Sequence, residues 1–434
     1  MQMISVSGIR GIAGKDLDIE DYKRWSLKFK NYTNGSIFVI GRDTRKTGNL
    51  FYGASLLSLL NSGAEVYSAG VISTPGTVYL TKALGTSGGI VVTASHNPPE
   101  WNGMKFIHRE ARFLYPEEME ALKKTPEKKH KTSGFELFFH GASLHAEAVV
   151  ENSLVIKEGK RIKVAIDPGN GAAGYEAKRV AEEMGFEVIM VNEEPSGDFK
   201  RGPEPVPSNL KELEKIVKNK EAEIGFAFDP DGDRISLVDE EGRAVGEEYT
   251  FPLCFLFFLE HEKTDAVVNY STSMLGDEIA ERYKVKVKRA PVGEANIVKM
   301  MEKENIKIGG EGNGGFIMYE FNKTRDGILA MAFMLSLKRK FGSLKDVIDS
   351  LPHFYMVKKK IPRIKKLKRL KEKMLSSLDF KGYSEEDGLW IKGEDYFIHI
   401  RNSNTEPVTR IIIEGGDEGF VKEQDKRIKK ICVE

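Results

Sequence analysis

The sequence has few cysteines and almost no excess of charge. It contains two cysteines in 434 residues, Cys254 and Cys432, which are too few and too far apart for a disulfide framework or a cysteine zinc site. Its 66 basic and 65 acidic residues leave a net charge of +1, which offers no general attraction for nucleic acid or an anionic membrane. We therefore expect a reduced, cytoplasmic protein without a nucleic-acid or membrane partner.

Long apolar runs are also missing. The N-terminus carries no basic segment followed by an apolar core, so we expect no signal peptide. The most apolar stretch, residues 251–259, is roughly half as long as a membrane helix. It predicts a buried helix.

Strand and helix patterns alternate along most of the chain, which favours an α/β fold with mainly parallel strands. Three successive units share the order of apolar strand, polar turn and helix, which suggests a divergent internal repeat. A last unit begins near residue 351 and carries an antiparallel pair of strands instead. Residues 358–373 are rich in Lys and Arg, but apolar residues at helical spacing favour a solvated helix over a nucleic-acid patch.

The most informative stretch is residues 93–105, which follow the apolar run Ile90-Val-Val. It brings the hydroxyl of Ser95, the imidazole of His96 and the amine of Lys105 to the end of a strand, where open α/β sheets keep their chemistry. Taken alone, Ser95 could equally be a turn-forming serine, His96 is more typical of a hydrogen-bonded loop residue than of a catalyst, and Lys105 is more typical of a surface lysine. A Ser-His-Asp hydrolase is disfavoured because no Gly-x-Ser-x-Gly elbow is present.

An acidic turn, Asp229-Pro-Asp-Gly-Asp-Arg234, is the second signal. Three carboxylates at alternate positions can converge on one hard cation such as magnesium, calcium or manganese. An acidic turn in solvent is the plain alternative. An EF-hand loop with Glu240 at its twelfth position is disfavoured, because Arg234 stands where glycine is required and strands flank the turn.

Two further loops carry polar side chains suited to a phosphosugar. Residues 401–410 put two arginines and several small polar residues around one turn, a good cradle for a phosphate dianion. Residues 309–315 place Glu311 and Asn313 among glycines, and such residues can bind sugar hydroxyls. Either loop alone could be an ordinary turn. Together with the serine loop and the cation turn, they indicate phosphoryl transfer on a phosphosugar.

In this order the four motifs resemble those of the α-D-phosphohexomutases, which include phosphoglucomutase, phosphomannomutase and phosphoglucosamine mutase. The variant motifs at 310–315 and 325–327 are most similar to archaeal members. The resemblance implies three similar mixed α/β domains and a C-terminal α+β domain around a central cleft. We place the domains at residues 1–142 (serine loop), 143–239 (metal loop), 240–350 (sugar loop) and 351–434 (phosphate loop).

The resemblance also implies an isomerase that interconverts hexose 1-phosphate and 6-phosphate of the glucose or mannose type, through a phosphoserine and a 1,6-bisphosphate intermediate that is also its activator. Phosphoglucosamine mutase is the alternative, with the same mechanism. One Mg²⁺ per active site is implied, and we expect a monomer or homodimer. A phosphatase that uses the same serine and metal is a rival.

The implied roles fall into three groups. Ser95 carries the phosphoryl group, and Lys105, Arg10 and His96 lie near it, with Lys105 the better candidate than His96 for moving the proton. The metal ligands are Ser95 with Asp229, Asp231 and Asp233. Residues that contact substrate are Arg234, Glu311, Asn313, Arg401, Ser403, Asn404, Thr405 and Arg410.

Departures from the family pattern concern the sugar more than the chemistry. Ile4-Ser-Val6 stand where relatives have Phe-Gly-Thr, although Arg10 is retained, and Asn313 stands where many have serine. Residues 291–294, Pro-Val-Gly-Glu, are expected to contribute to the choice of sugar.

Overall fold

The computed structural model describes residues 3–5, 8–128, 133–364, 367–403 and 407–433, and arranges them in four β-sheets. Three of these sheets combine parallel strands with helices, and the fourth is antiparallel. The predicted fold class is thereby confirmed.

The first sheet contains eight strands: β1 (Met3–Ser5), β2 (Gly8–Ile12), β3 (Ile37–Arg42), β4 (Glu65–Val71), β5 (Gly88–Val92), β6 (Trp101–His108), β7 (Arg112–Phe113) and β8 (Phe135–Phe138). Their order is β1-β2-β6-β5-β3-β4-β8, and β7 pairs with β6. Strands β5, β3, β4 and β8 run parallel, whereas β6, β2 and β1 continue the sheet antiparallel. The helices of this region are α1 (Ile19–Thr33), α2 (Gly48–Asn61), α3 (Thr74–Ala83), α4 (Pro116–Lys124) and α5 (Gly141–Glu151).

The second and third sheets have the same topology, which supports the predicted internal repeat. The second contains β9 (Lys163–Asp167), β10 (Glu187–Met190), β11 (Ile224–Phe228) and β12 (Ile235–Val238); the third contains β13 (Ala266–Asn269), β14 (Val287–Ala290), β15 (Ile308–Glu311) and β16 (Gly315–Met318). Their orders are β10-β9-β11-β12 and β14-β13-β15-β16. In each, three parallel strands end in an antiparallel hairpin.

Helices cover both of these sheets. They are α6 (Gly174–Glu183), α7 (Lys211–Lys218), α8 (Thr250–Leu259), α9 (Leu275–Tyr283), α10 (Glu294–Glu304), α11 (Gly327–Phe341) and α12 (Leu344–Asp349). The predicted buried helix is α8, and it packs with α11 in a core that both sheets share. Strand β11 is buried at every position, as expected for a parallel sheet that is covered on both faces.

The fourth sheet is formed by β17 (Tyr355–Pro362), β18 (Gly382–Ser384), β19 (Leu389–Lys392), β20 (Tyr396–Asn402) and β21 (Val408–Gly415), with helices α13 (Leu367–Leu375) and α14 (Glu418–Val433). Its order is β17-β21-β20-β19-β18. The basic segment 358–373 is therefore not one helix, and that prediction was wrong in its first part. A run of three lysines hides the alternation of a strand, and pairing with β21 decides the structure. Within α13, Leu370 and Met374 are buried as predicted.

Among the described residues, no helix combines the length and apolar character that crossing a membrane requires.

Candidate active site

Ser95 lies on a tight turn that follows strand β5. Its φ of 51° falls in the left-handed region, which residues other than glycine adopt mainly where the surroundings enforce it. The side chain is buried, and its Oγ lies 3.3 Å from Asp229 Oδ2 and 3.4 Å from His96 Nδ1. The structure thus brings the predicted phosphate carrier next to the predicted cation turn.

A buried arginine outside the four sequence motifs holds the serine loop. The guanidinium of Arg45 donates to four carbonyl oxygens of this loop, those of Ser95, Asn97, Pro98 and Trp101, at 2.5–2.9 Å. Its Nε donates to Asp43 at 3.0 Å, and Asp43 also accepts from Thr93 Oγ1 at 2.6 Å. Because β3 and β5 are parallel neighbours, the turns after them share one edge of the sheet. The predicted adjacency of these two turns was the signal by which Arg45 could have been assigned to the site.

The acidic turn between β11 and β12 buries all three of its aspartates. One carboxylate oxygen from each of Asp229, Asp231 and Asp233 lies within 4.8 Å of the others. Gly232, at φ 71°, allows the tight turn. Glu240, the twelfth position of a hypothetical EF-hand, instead accepts from the Leu344 and Lys345 amides, and the flanks are strands. The EF-hand alternative is excluded.

The three carboxylates fit a hard divalent cation. The second oxygen of Asp231 accepts from Thr74 at 2.6 Å and from Lys105 at 2.7 Å, while its Oδ1 and the Oδ1 of Asp233 are buried without a hydrogen-bond partner among the described residues. Burial, reinforced by Asp233 and Asp231, raises the pKa of Asp229 well above its usual value. A cation would relieve this crowding of negative charge.

Lys105 extends from β6 into the same cluster and is buried, unlike an ordinary surface lysine. Its Nζ lies 2.7 Å from Asp231 Oδ2 and 3.1 Å from Asp233 Oδ2. Burial lowers the pKa of Lys105, but the two carboxylates outweigh it and raise the pKa above its usual value. The side chain is therefore a cation held against two of the three aspartates.

Three more side chains surround the serine and the aspartates. Arg10 donates to Asn97 Oδ1 at 3.0 Å, and burial lowers its pKa to about 10, so it remains charged at neutral pH. Arg234 Nε lies 3.8 Å from Asp233 Oδ1 and 4.0 Å from Asp229 Oδ2. Desolvation, followed by the charges of Arg234 and Arg10, lowers the pKa of His96 well below its usual value. The imidazole is thus neutral beside Ser95.

The glycine-rich loop after β15 presents Glu311 and Asn313. Glu311 accepts from Asn269 Nδ2 at 2.7 Å and from Asn313 Nδ2 at 3.3 Å. Burial raises the pKa of Glu311, but the charges of Arg325 and Arg234 together with the hydrogen bonds from Asn269 and Asn313 outweigh it and keep the pKa below its usual value. Asn313 Oδ1 is buried and accepts no hydrogen bond from the described residues. The loop therefore holds an anion and an acceptor that a hydroxyl could use.

Arg325 is a second residue that sequence analysis did not assign to the site. Its guanidinium contacts three carboxylates, those of the buried Asp233 and Glu311 and of the half-buried Glu294. In the sequence, residues 325–327 indicate only a similarity to archaeal members of the family. The local sequence shows only that this arginine precedes Asp326, and Asp326 caps the apolar helix α11. Nothing beyond that position indicated a role in the site.

The fourth loop joins β20 and β21. Arg401 and Arg410 stand directly opposite each other in this pair, and Lys360 of β17 stands opposite Arg410. Residues directly opposite in antiparallel strands share a face, so three cations lie in one row, which an anion would stabilise. Ser403 precedes the turn and donates its amide to Val408 O at 2.8 Å. Asn404 and Thr405 lie outside the described residues.

The fourth sheet meets the third through polar contacts near this row. Asp387 accepts from Arg401 NH1 at 3.4 Å and from the Val292 amide at 2.8 Å. Lys358 Nζ lies 2.7 Å from Glu248 and donates to Gly312 O at 3.3 Å. Residues 291–294 thus lie between Asp387 and Arg325, and their contribution to the choice of sugar stays a prediction.

Comparison with known proteins gives a consistent match along the chain. Four family models match in order: Phosphoglucomutase/phosphomannomutase, alpha/beta/alpha domain I over residues 1–133, domain II over 144–242, domain III over 247–355 and the C-terminal domain over 356–431.

Individual proteins match over nearly their whole length. A protein of Pyrococcus abyssi named "Probable phosphoglucosamine mutase" is 32% identical over 98% of this chain and 97% of its own. A phosphoglucomutase/phosphomannomutase of Thermococcus kodakarensis is 32% identical over 97% and 96%. The crystal structure of a Burkholderia thailandensis phosphoglucomutase/phosphomannomutase family protein superposes with a TM-score of 0.87 at 24% identity, covering 99% of this chain and 97% of the other.

Proposed function

The chain belongs to the phosphoglucomutase/phosphomannomutase family and is a phosphohexomutase, and from this premise we propose that Ser95 carries the phosphoryl group it transfers. The enzyme interconverts hexose 1-phosphate and 6-phosphate through a phosphoserine and a 1,6-bisphosphate. The observation that carries the proposal is the contact of 3.3 Å between Ser95 Oγ and Asp229 Oδ2, which puts the serine against three buried carboxylates.

Asp229, Asp231 and Asp233 would hold one Mg²⁺, together with an oxygen of the phosphorylated Ser95. Oxygen-only ligands suit magnesium, and the buried Oδ1 atoms of Asp231 and Asp233, which accept no hydrogen bond from the described part of the chain, support this assignment. When bound, the ion would offset the negative charge of the phosphoryl group. Asp231 and Asp233 would then each bind the ion through one carboxylate oxygen and Lys105 through the other.

The surrounding cations would stabilise the charge that spreads over the phosphoryl oxygens. Arg10, Arg234 and Lys105 supply three positive side chains around Ser95 and the aspartates. As the phosphoryl group leaves Ser95 for a sugar hydroxyl, that hydroxyl loses a proton and Ser95 Oγ gains one. Lys105, which is held as a cation, is our candidate for moving the proton: its ammonium would donate to Ser95 Oγ and then take up the proton that the sugar hydroxyl loses, while neutral His96 orients Ser95 Oγ.

Glu311 and Asn313 would bind hydroxyls of the sugar, and the loop of Arg401, Ser403 and Arg410 would hold the phosphate that does not react. Asn404 and Thr405 are proposed for the same loop on the resemblance alone. Because both ends of the 1,6-bisphosphate present the same dianion, one such loop serves both orientations of the intermediate.

The second part of the proposal concerns the identity of the sugar. We propose a glucose or mannose phosphate, with glucosamine phosphate as the alternative, because relatives at the same identity carry both kinds of name.

The test is the turnover of glucose, mannose and glucosamine 1-phosphates by phosphorylated protein with Mg²⁺ and a trace of the matching bisphosphate. We expect isomerisation of at least one, and its loss in Ser95→Ala. Ser62→Ala is the matched control, since Ser62 is another buried turn serine, bonded to Leu59 O and outside the site. If the protein isomerises none of the three sugar phosphates, or if Ser95→Ala keeps wild-type rates, the proposal is contradicted. Faster release of inorganic phosphate than isomerisation would favour the phosphatase.

A further inference from the structure

Arg325 is almost fully enclosed by negative side chains from two sheets. Its NH2 lies 2.5 Å from Asp233 Oδ2, its NH1 lies 2.5 Å from Glu311 Oε2, and its Nε lies 3.3 Å from Glu294 Oε2. Asp233 belongs to the cation turn and Glu311 to the glycine-rich loop, and 92 residues separate Asp233 from Arg325. One planar side chain therefore joins two loops that come from different sheets.

The backbone around Arg325 is fixed from both sides. Glu294 Oε1 accepts from the Arg325 amide at 2.8 Å and also from Thr324 Oγ1. The next residue, Asp326, caps helix α11 by accepting from the Ile328 and Leu329 amides at 3.1 and 3.0 Å. The side chain thus starts from a rigid point, and its guanidinium has little freedom to move.

A glycine makes room for this side chain. A Cβ added to Gly315 would lie 2.3 Å from Arg325 Cδ and 2.9 Å from Arg325 Cγ. Real contacts of this kind are essentially never that short, so any larger residue at position 315 would displace the arginine. The glycine at position 315 and the arginine at 325 therefore depend on each other.

We propose that Arg325 is a positioning residue that fixes the cation turn and the sugar-binding loop at the spacing that phosphoryl transfer requires. This inference rests on the proposed function for the roles of Asp233 and Glu311. Arg325 acts through those two carboxylates and Glu294. A lysine could not replace it, because a single ammonium cannot reach three carboxylates in the fork geometry of a guanidinium.

We expect replacement of Arg325 to lower kcat more than it changes KM. Displacing reacting groups by about 1 Å can cost roughly 100-fold in rate, so Arg325→Ala should lower kcat by about that factor and raise KM by only a few-fold. Arg325→Lys should recover less than a tenth of the lost activity. Mn²⁺ affinity, measured by direct titration, should stay within about threefold, because Lys105 still holds Asp233 Oδ2 at 3.1 Å.

Two comparisons separate positioning from a general loss of structure. Guanidinium at tens of millimolar should restore part of kcat in Arg325→Ala by filling the vacated space, and should have no such effect on wild type. Arg112→Ala is the matched control, because Arg112 is equally buried and bound to Glu110 and Glu118, away from the site. Gly315→Ala should reproduce part of the Arg325→Ala defect, whereas Gly53→Ala, where a Cβ meets nothing within 4 Å, should not.

The outcomes distinguish this inference from the proposed function. If wild type isomerises a hexose phosphate but Arg325→Ala is as active as Arg112→Ala, or is not rescued by guanidinium, the positioning role is wrong and the function stands. If wild type isomerises none, the proposed function fails, and the positioning role, which rests on it, fails with it. A loss of Mn²⁺ affinity above about tenfold in Arg325→Ala would overturn the positioning role, because the side chain would then serve the cation site itself.

Discussion

The guanidinium of Arg45 donates a 2.6 Å hydrogen bond to the carbonyl oxygen of Ser95, 50 positions further along the chain. Three more carbonyls of the same loop accept from this side chain. A loop without regular structure must find donors for its buried carbonyls elsewhere, and one fully buried arginine supplies them. Arg45 therefore determines the backbone path that presents the Ser95 hydroxyl.

Replacing Arg45 with lysine should damage catalysis more than binding. An ammonium cannot serve four carbonyls and Asp43 in the geometry of the guanidinium, so the Ser95 turn should shift. We expect kcat to fall by about 10- to 100-fold, with KM and Mn²⁺ affinity close to wild type and a lower melting temperature. Arg42→Lys is the control, because Arg42 ends β3 next to the same turn and its side chain donates, among the described residues, to Asp43 O only. Equal kcat values in the two variants would refute this role.

Removing a single carboxylate should abolish cation binding. Asp229→Asn keeps the shape of the side chain but loses a charge from the buried cluster, so Mn²⁺ affinity should fall by at least about 100-fold. Direct titration of chelator-treated protein measures this without turnover.

Asp239→Asn is the matched control for this prediction. Asp239 is also buried, at the end of β12, but it binds Arg243 at 2.8 Å and is outside the cluster. Wild-type Mn²⁺ affinity in Asp229→Asn, or an equal loss in both variants, would remove the three aspartates from the cation site.

The sequence alone was sufficient to predict the strands that precede the functional turns. Strands β11 and β12 and helix α9 fall within the predicted alternation of strands and helices, because each is a compact apolar or amphipathic run with clear turn residues at its ends. The polar turns after β5, β11 and β15 were found for the same reason. Local patterns carry this information directly.

Residues that act across sheets could not be found in this way. Thr74 binds Asp231 over 157 positions, and neither residue's neighbours indicate the other. Arg45 and Arg325 are likewise ordinary arginines locally, and their roles depend on which turns lie side by side. The prediction of one helix over the basic segment failed for a different reason. Lys358, Lys359 and Lys360 offer no contrast between apolar and polar positions, so the sequence does not show the alternation of a strand. The strand is determined by its pairing with β21.

Removing one arginine from the cation row should weaken substrate binding. Arg401→Gln leaves Arg410 and Lys360 in place but loses a group that can bind a phosphate in bidentate fashion. We expect KM for the hexose phosphate to rise by about 10- to 100-fold, with Mn²⁺ affinity unchanged. Arg427→Gln, a partly exposed arginine on α14, controls for loss of charge in the same domain. An unchanged KM in Arg401→Gln would exclude this row from phosphate binding.

His145 is a buried histidine that links three regions of the chain beneath the cation turn. Its Nδ1 lies 2.7 Å from Glu176 Oε1 and its Nε2 lies 3.0 Å from Asp326 Oδ2. Glu176 in turn accepts from Ser73, which caps α3, the helix whose first residue binds Asp231. Burial lowers the pKa of His145, but Asp326 and Glu176 outweigh it and raise the pKa to about 10. The imidazole is therefore a buried cation between two carboxylates.

This arrangement predicts a stability that declines in mild alkali. The unfolded chain releases the His145 proton near pH 6.5, whereas the folded protein keeps it to about pH 10. The contribution is thus complete below pH 6.5 and is lost as pH rises through about 10, with a total on the order of 5 kcal/mol. Denaturant unfolding of wild type and His145→Gln between pH 6 and 10 measures it. The difference in unfolding free energy should shrink steadily with pH, whereas His140→Gln, at an exposed position, should parallel wild type. A pH-independent difference for His145→Gln would show that the buried imidazole is neutral.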